Sequence, residues 1–148
     1  MRYSILITAF REAETIGKAI ESFLSQLPED AEILVICPDP ETKAVADDFS
    51  DRYPALVRHV QDPQKGKPHA LNIGLKEAMG DIVVLSDGDV ALTEDALAPL
   101  LAPFEADDVG AVSGGPTSIS PRNTLLGYWS HLLAYSVHKI RLARDQKG

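Results

Sequence analysis

Residues 80–89, Gly-Asp-Ile-Val-Val-Leu-Ser-Asp-Gly-Asp, join the clearest strand of the chain directly to an acidic turn. The apolar run at residues 82–85 is typical of a strand buried on both faces of a sheet. Asp87 and Asp89 follow this strand on either side of Gly88, and residues two apart in an extended segment point to the same side. The two carboxylates can therefore approach one site, where a divalent cation such as Mn²⁺ or Mg²⁺ relieves their repulsion. A solvated turn is the alternative interpretation of the tripeptide by itself.

Further strands and helices alternate on either side of this segment. Strands are predicted at residues 3–9, 32–37, 56–60 and 110–113, in addition to 82–85. Helices are predicted between them, one with Glu12 and Glu14 in its first turn, two that begin at Pro40 and Pro68, and a short one from a Thr93 cap through Leu101. This alternation predicts an α/β fold, with a mostly parallel sheet covered by helices on both faces. Ligands bind at the carboxyl ends of such strands, which here are residues 8–12, 37–41 and 86–89.

The composition is that of a globular protein with an acidic surface. The 148 residues include 14 basic and 22 acidic side chains, for a formal net charge of -8, which argues against nucleic acid as a partner. The single cysteine, Cys37, cannot form an internal disulfide and fits a reducing compartment. No signal peptide and no run of about 20 apolar residues is apparent. We expect a cytoplasmic protein, and leave open a peripheral association of a longer parent protein with the inner face of the membrane.

Three segments of the sequence resemble motifs of one enzyme family. Residues 4–16 are similar to the opening strand and Tyr-Asn-Glu-like turn of family 2 glycosyltransferases, and residues 65–75 resemble their Gly-Lys-x-x-Ala-Leu-Asn-x-Gly segment. Residues 80–89 resemble their strand with an Asp-x-Asp motif. The resemblance implies a GT-A fold, in which residues 1–115 form a Rossmann-like core that binds a nucleoside diphosphate sugar.

The same resemblance implies roles for individual residues. The nucleotide-binding residues would be Thr8, Ala9, Phe10 and Glu12 around the base and ribose, Asp39 against the base, Lys67 near the nucleotide, and Asp87 with Gly88 beside the ribose. Asp89 would be the main protein ligand of a Mn²⁺ or Mg²⁺ ion, with Asp87 as the second. Two departures weaken the match. Cys37-Pro-Asp-Pro-Glu41 replaces the commoner Asp-Asp-Gly-Ser, and Phe10-Arg11 replaces Tyr-Asn.

The activity that the resemblance implies is sugar transfer to an acceptor hydroxyl with inversion. UDP is the favoured nucleotide of the donor, with GDP next, and the acceptor, a saccharide or a lipid, is unknown. The general base of the family is an acidic residue downstream of the fifth strand, but only Asp145 follows Gly115 here. We therefore expect the base beyond Gly148. Residues 116–148 are interpreted as the start of a truncated acceptor-side region that ends in an amphipathic helix, and the chain alone as an incomplete enzyme.

Three alternatives remain at this point. A nucleotidyltransferase of related fold would need a glycine-rich loop after the first strand, where the chain has residues 9–12, Ala-Phe-Arg-Glu. A signalling receiver domain would need adjacent carboxylates at the same place. A nucleotide-sugar-binding module without turnover stays open, because no general base is identified.

Overall fold

The computed structural model describes residues 1–145 and divides into two compact units, Met1–Pro99 and Leu100–Gly148. The strands are β1 (Tyr3–Thr8), β2 (Ala31–Cys37), β3 (Val57–Gln61) and β4 (Ile82–Asp87). The helices are α1 (Ile16–Leu24), α2 (Pro40–Arg52), α3 (Lys67–Glu77), α4 (Leu97–Leu101) and α5 (Leu125–Asp145). Residues 146–148, the end of the predicted acceptor-side region, lie outside the described residues.

The four strands form one parallel sheet in the order β3-β2-β1-β4. Strands β1 and β2 lie in its centre, and β2 is buried along its whole length. The chain moves from β1 to β2 and β3 in one direction and then returns to place β4 on the other side of β1. Because parallel connections are right-handed, this reversal puts α3 on the opposite face of the sheet from α1 and α2. The predicted α/β fold with helices on both faces is confirmed.

Helix α3 packs closely on one face of the sheet. Leu6, Leu34 and Ile36 form a buried cluster there with Val60 of β3 and Ala70 of α3. The alternate residues of β1 and β2 are also buried and face the other layer of helices.

Gly74 permits the close packing of α3. A Cβ atom added at Gly74 would lie 2.8 Å from Leu6 Cδ2 and 3.0 Å from Ile36 Cδ1. Gly74 lowers the helix propensity of α3, but the absence of a side chain lets the helix approach the sheet.

Three details of the sequence-based prediction are wrong. Helix α1 begins at Ile16, so Glu12 and Glu14 are not in its first turn; the chain first makes a tight turn in which Arg11 has a φ of 58°. The short helix predicted from Thr93 is confined to α4, because Asp95 has a φ of 54°, which is incompatible with a helix. Residues 110–113 form no strand, and their side chains are exposed.

In the second unit, helix α5 lies where the amphipathic helix was predicted. The hydroxyl of Thr124 accepts a hydrogen bond from the backbone N–H of Gly127 at 3.1 Å and so caps its first turn. The helix exposes large apolar side chains, among them Leu126, Trp129 and Leu133. Among residues 1–145, no helix combines the length and the apolar character that crossing a membrane requires.

Candidate functional site

The ends of β1 and β4 meet where the order of the strands reverses. Thr8 and Asp87 are paired in the parallel register of these strands, and the backbone N–H of Gly88 donates to the carbonyl of Thr8 at 3.0 Å. The loop after β1 and the acidic turn after β4 therefore leave the sheet side by side. In open α/β sheets, ligands bind in the crevice at this reversal point.

A cavity of about 460 Å³ opens at this point, within the usual size range of small-molecule sites. Seven of the predicted site residues line it: Thr8, Ala9, Phe10, Glu12, Lys67, Asp87 and Asp89. The remaining lining residues were not predicted: Ile36, Pro38, Asp62, Gln64, Gly66 and Ala70. A more open depression of about 890 Å³ adjoins the cavity and shares five lining residues with it, Phe10, Glu12, Pro38, Gln64 and Asp89. The three strand-end segments singled out in the sequence thus all contribute residues to the lining of the cavity.

Lys67 and Asp87 form an ion pair in the cavity. The ammonium group of Lys67, the first residue of α3, contacts Asp87 Oδ1. The hydroxyl of Thr8 also donates to Asp87 Oδ1, at 3.4 Å. Both charged side chains are about half exposed, and exposed pairs of this kind contribute only about 0–1 kcal/mol. The pair is therefore readily exchanged for contacts with a charged ligand.

The carboxylate of Glu12 lacks hydrogen-bond partners that would stabilise its charge. Its Oε2 atom is buried and has no hydrogen-bond partner. Burial, followed by the charges of Asp89 and Asp87, raises the pKa of Glu12 above its usual value. The charges of Asp89 and Asp87 thus disfavour the ionised form of Glu12 and that of Lys67 favours it, and all four residues line the cavity.

Gly88 is required by the close approach of its neighbours. A Cβ atom there would lie 2.4 Å from Glu12 Oε2 and 2.7 Å from the Cβ atom of Ala9. No other residue fits without displacing one of the two loops. The predicted place of Gly88 between the aspartates is thus explained by packing against the loop after β1.

The carboxylate oxygens of the cavity suit a hard divalent cation that takes only some of its ligands from the protein. Within the described part of the chain, no three His, Cys, Asp or Glu side chains are grouped so as to hold a metal ion by themselves. Asp87 and Asp89 both line the cavity, and Mg²⁺ is commonly held by one or two carboxylates, with phosphate oxygens and water as the other ligands. Two aspartates in the cavity lining fit such an ion when a diphosphate accompanies it.

Asp39 is occupied by backbone hydrogen bonds. It is the N-cap of α2, where its Oδ1 accepts from the N–H of Thr42 at 3.0 Å, and its Oδ2 accepts from the N–H of Arg11 at 2.9 Å. Burial by itself raises the pKa of Asp39, but the hydrogen bonds from Arg11 and Thr42 outweigh burial and the pKa is lowered. Asp39 lines the adjoining depression rather than the cavity. Its contact with a nucleotide base stays a prediction.

Cys37, at the end of β2, is completely buried. Burial, and then the negative charge of Asp39, raise the pKa of its thiol to about 12. A thiol in this state is a packing residue and not a nucleophile.

Asp62 and Gln64 are the polar residues that the sequence analysis missed. They follow the end of β3, and Asp62 is buried with its Oδ1 accepting from the N–H of Gln64 at 3.1 Å. A signal was present, because the rule that directed attention to the ends of the other strands applies equally to β3.

The fold and the cavity at the reversal of the strand order define an α/β domain of the GT-A type. The chain belongs to the family described as Glycosyl transferase family 2, whose sequence profile matches residues 4–146. It is 28% identical over 135 residues to a poly-beta-1,6-N-acetyl-D-glucosamine synthase of Staphylococcus aureus, covering 84% of this chain and 30% of that protein. It is 30% identical over 115 residues to glycosyltransferase AglE of Haloferax volcanii, covering 75% of this chain and 38% of that protein.

Solved structures show the same fold. A crystal structure of S. aureus TarS in complex with UDP superimposes with a TM-score of 0.58 at 20% identity, covering 80% of this chain and 39% of that one. A complex of TarS with UDP-GlcNAc superimposes with a TM-score of 0.56. The chain spans between 30% and 38% of the length of these curated relatives.

Proposed function

We propose that this chain is the donor-binding part of a glycosyltransferase that moves a sugar from a nucleoside diphosphate sugar, with UDP as the nucleotide, to an acceptor hydroxyl. The observation that carries the proposal is the cavity at the strand reversal, lined by Lys67, Asp87 and Asp89. Membership of the family supports it, as do the names of relatives that synthesise a polymer of N-acetylglucosamine. The complexes of TarS with UDP and UDP-GlcNAc support the choice of UDP.

In this proposal, the acidic turn holds the cation and the diphosphate. Asp89 would be the main protein ligand of Mn²⁺ or Mg²⁺, and Asp87 the second. When bound, the cation supplies Lewis acidity that offsets the negative charge of the leaving diphosphate. The buried, unpartnered charge of Glu12 adds to the negative field that attracts the ion.

Lys67 exchanges its partner when the donor binds. Its ammonium group contacts Asp87 in the free protein, and a phosphate oxygen offers a stronger charge-assisted hydrogen bond. Movement of Lys67 to the phosphate frees Asp87 Oδ1 for the cation. The two changes are therefore coupled, and nucleotide and cation bind more tightly together than separately.

The acceptor half of the reaction belongs to other residues. Deprotonation of the acceptor hydroxyl needs a general base within hydrogen-bond reach of it, and we place this base beyond Gly148. In-line attack from the side opposite the diphosphate would give inversion. We propose a saccharide or a lipid as the acceptor, and a longer protein that associates with a membrane. The acceptor-side region would determine both.

The proposal is tested by titrating UDP into the protein with and without MnCl₂ in a calorimeter. We expect manganese to tighten UDP binding, and Asp89→Ala to remove this effect, with a loss of at least about 10-fold in affinity, which corresponds to about 1.4 kcal/mol. Asp51→Ala is the matched control, because Asp51 is exposed on α2 and does not line the cavity. An unchanged affinity of Asp89→Ala for UDP in the presence of manganese contradicts the proposed site.

Two further measurements separate the alternatives. Thermal-shift titration with UDP, GDP and CTP distinguishes a sugar-nucleotide site from that of a nucleotidyltransferase, which would favour the triphosphate. Slow hydrolysis of a UDP-sugar, followed by UDP release, distinguishes turnover from binding alone. If CTP stabilises the protein and UDP does not, the proposed donor is wrong.

A further inference from the structure

A buried polar pair lies at the amino end of the sheet, which is the end opposite the cavity. Ser4 of β1 and Glu32 of β2 are neighbours in the parallel register, and both are buried. The hydroxyl of Ser4 donates to Glu32 Oε1 at 2.7 Å. Side chains two apart in a strand share a face, so this pair lies on the same face of the sheet as Leu6 and Leu34, where α3 packs.

The pair binds the backbone that directly follows α3. The N–H of Met79 donates to Glu32 Oε1 at 2.8 Å, and the N–H of Gly80 donates to Ser4 Oγ at 2.8 Å. A Cβ atom added at Gly80 would lie 2.5 Å from the backbone nitrogen of Ser4. The chain after α3 is therefore held in close contact with the start of β1.

Arg58 of β3 adds to this attachment. Its guanidinium donates to the carboxylate of Glu77, the last residue of α3, at 2.8 Å, and to the carbonyl of the same residue at 3.1 Å. The guanidinium also lies 4.0 Å from Glu32 Oε2. Side chains of β1, β2 and β3 thus hold the C-terminal end of α3 by hydrogen bonds, which have preferred directions.

The rest of α3 is held by contacts that do not fix its position along its own axis. Its middle packs through Gly74 on Leu6 and Ile36, and apolar contacts are non-directional. Its N-cap is Gly66, which has no side chain to accept from the first turn. Lys67 comes next, and its side chain is about half exposed. The attachment at the C-terminal end therefore determines how far α3 extends toward the cavity.

We propose that Glu32 is a positioning residue for Lys67. By fixing the axial position of α3, Glu32 sets the distance between the ammonium group of Lys67 and the diphosphate of the donor. This inference rests on the proposed function, in which Lys67 contacts a phosphate. Residues 67–77 span about 15 Å at about 1.5 Å per residue, so Glu32 acts from the far end of the helix without touching the ligand. A slip of α3 by one residue would withdraw Lys67 by about 1.5 Å, which is enough to lose a hydrogen bond.

The test is a double-mutant cycle on the full chain, with manganese pyrophosphate as the ligand and calorimetry as the measurement. Lys67→Ala should weaken binding about tenfold, because it removes a charge-assisted hydrogen bond. Glu32→Leu removes both acceptor oxygens but keeps a side chain of similar volume in the buried position. It should weaken binding by about threefold to tenfold through displacement of Lys67. In the Lys67→Ala background, Glu32→Leu should have no further effect.

This cycle separates positioning from a merely structural role. Substitutions more than about 10 Å apart without shared partners normally act independently, so the loss of the Glu32 effect in the absence of Lys67 requires transmission through α3. Glu32→Gln keeps an oxygen that accepts from the N–H of Met79 and should bind the ligand as tightly as the wild type. Phe49→Leu is the control for general destabilisation, because Phe49 is a buried residue of α2 outside the cavity lining. It should lower the melting temperature and leave the affinity unchanged.

A second variant keeps the test valid if Glu32→Leu does not fold. Ser4→Ala removes the hydroxyl that accepts from Gly80 and donates to Glu32, and it then replaces Glu32→Leu in the cycle. It should weaken binding about twofold to threefold, again only when Lys67 is present.

Three results overturn the inference while the proposed function stands. The first is wild-type affinity in the folded variant of Glu32 or Ser4 that is used in the cycle. The second is a loss of affinity that is equal with and without Lys67, and the third is binding by Glu32→Gln as weak as that by Glu32→Leu. Failure of the wild type to bind manganese pyrophosphate overturns the proposed function itself, and the role of Glu32 with it.

Discussion

Replacement of Glu12 by glutamine should stabilise the free protein. The side chain contributes one buried oxygen without a partner, next to the negative charges of Asp87 and Asp89. An unsatisfied buried polar group costs about 1–3 kcal/mol, and more if it is charged. Glu12→Gln removes the charge with almost no change of volume. In a chain of this size, each kcal/mol corresponds to about 2–4 °C in melting temperature, and we expect an increase of at least that amount at pH 8.

The stabilisation expected from Glu12→Gln depends on pH. Because the pKa of Glu12 is raised in the folded state, the folded protein binds a proton more readily than the unfolded chain. The contribution of Glu12 to stability therefore falls as the pH rises from the unfolded pKa, about 4.3, through the raised folded value, and the penalty is complete above it. The advantage of Glu12→Gln should be full at pH 8 and should disappear near pH 4.

The assay is thermal unfolding followed by circular dichroism, without added metal, across this pH range. Glu14→Gln is the matched control, because Glu14 is an exposed glutamate two residues away. It removes the same charge and should leave the melting temperature nearly unchanged. The reasoning is refuted if Glu12→Gln is less stable than Glu14→Gln at pH 8, or if its advantage does not vary with pH.

Two further predictions concern the scaffold, and urea unfolding measures both. Gly74→Ala should lower the free energy of unfolding by about 1 kcal/mol, because contacts with Leu6 and Ile36 outweigh the improved helix propensity; a more stable variant would show that the core has room. Asp39→Ala should cost about 1–2 kcal/mol through loss of the cap of α2. Since the pKa of Asp39 is lowered, this loss should be full above pH 4 (about the unfolded pKa) and shrink as the pH falls through the folded value; a cost that persists in acid would contradict it.

The order of the strands and helices was predictable because local patterns determine it. Residues 82–85 are a continuous apolar run, and Pro40 lies at the start of a helix as its fixed φ favours. The tight turn at Arg11 was not predictable, because its φ of 58° is imposed by surrounding contacts. The short apolar stretch at residues 110–113 wrongly predicted a strand. A strand also needs a neighbouring strand to pair with, and the local sequence pattern does not show whether one is present.

The sequence predicted most of the residues that line the cavity, but it did not predict the contacts between them. The resemblance to the family named Lys67 and Asp87, but their ion pair joins residues twenty positions apart and depends on how α3 lies on the sheet. The capping role of Asp39 did have a local signal, since Asp followed by Pro-Glu-Thr is a common start of a helix.

The backbone pairing of β1 with β4 has a consequence for how such an enzyme diversifies. The hydrogen bond from Gly88 to Thr8 joins the two loops through main-chain atoms, so it does not depend on the side chains of the cavity lining. Evolution can therefore exchange the groups that meet the ligand one at a time, without rebuilding the frame that holds them.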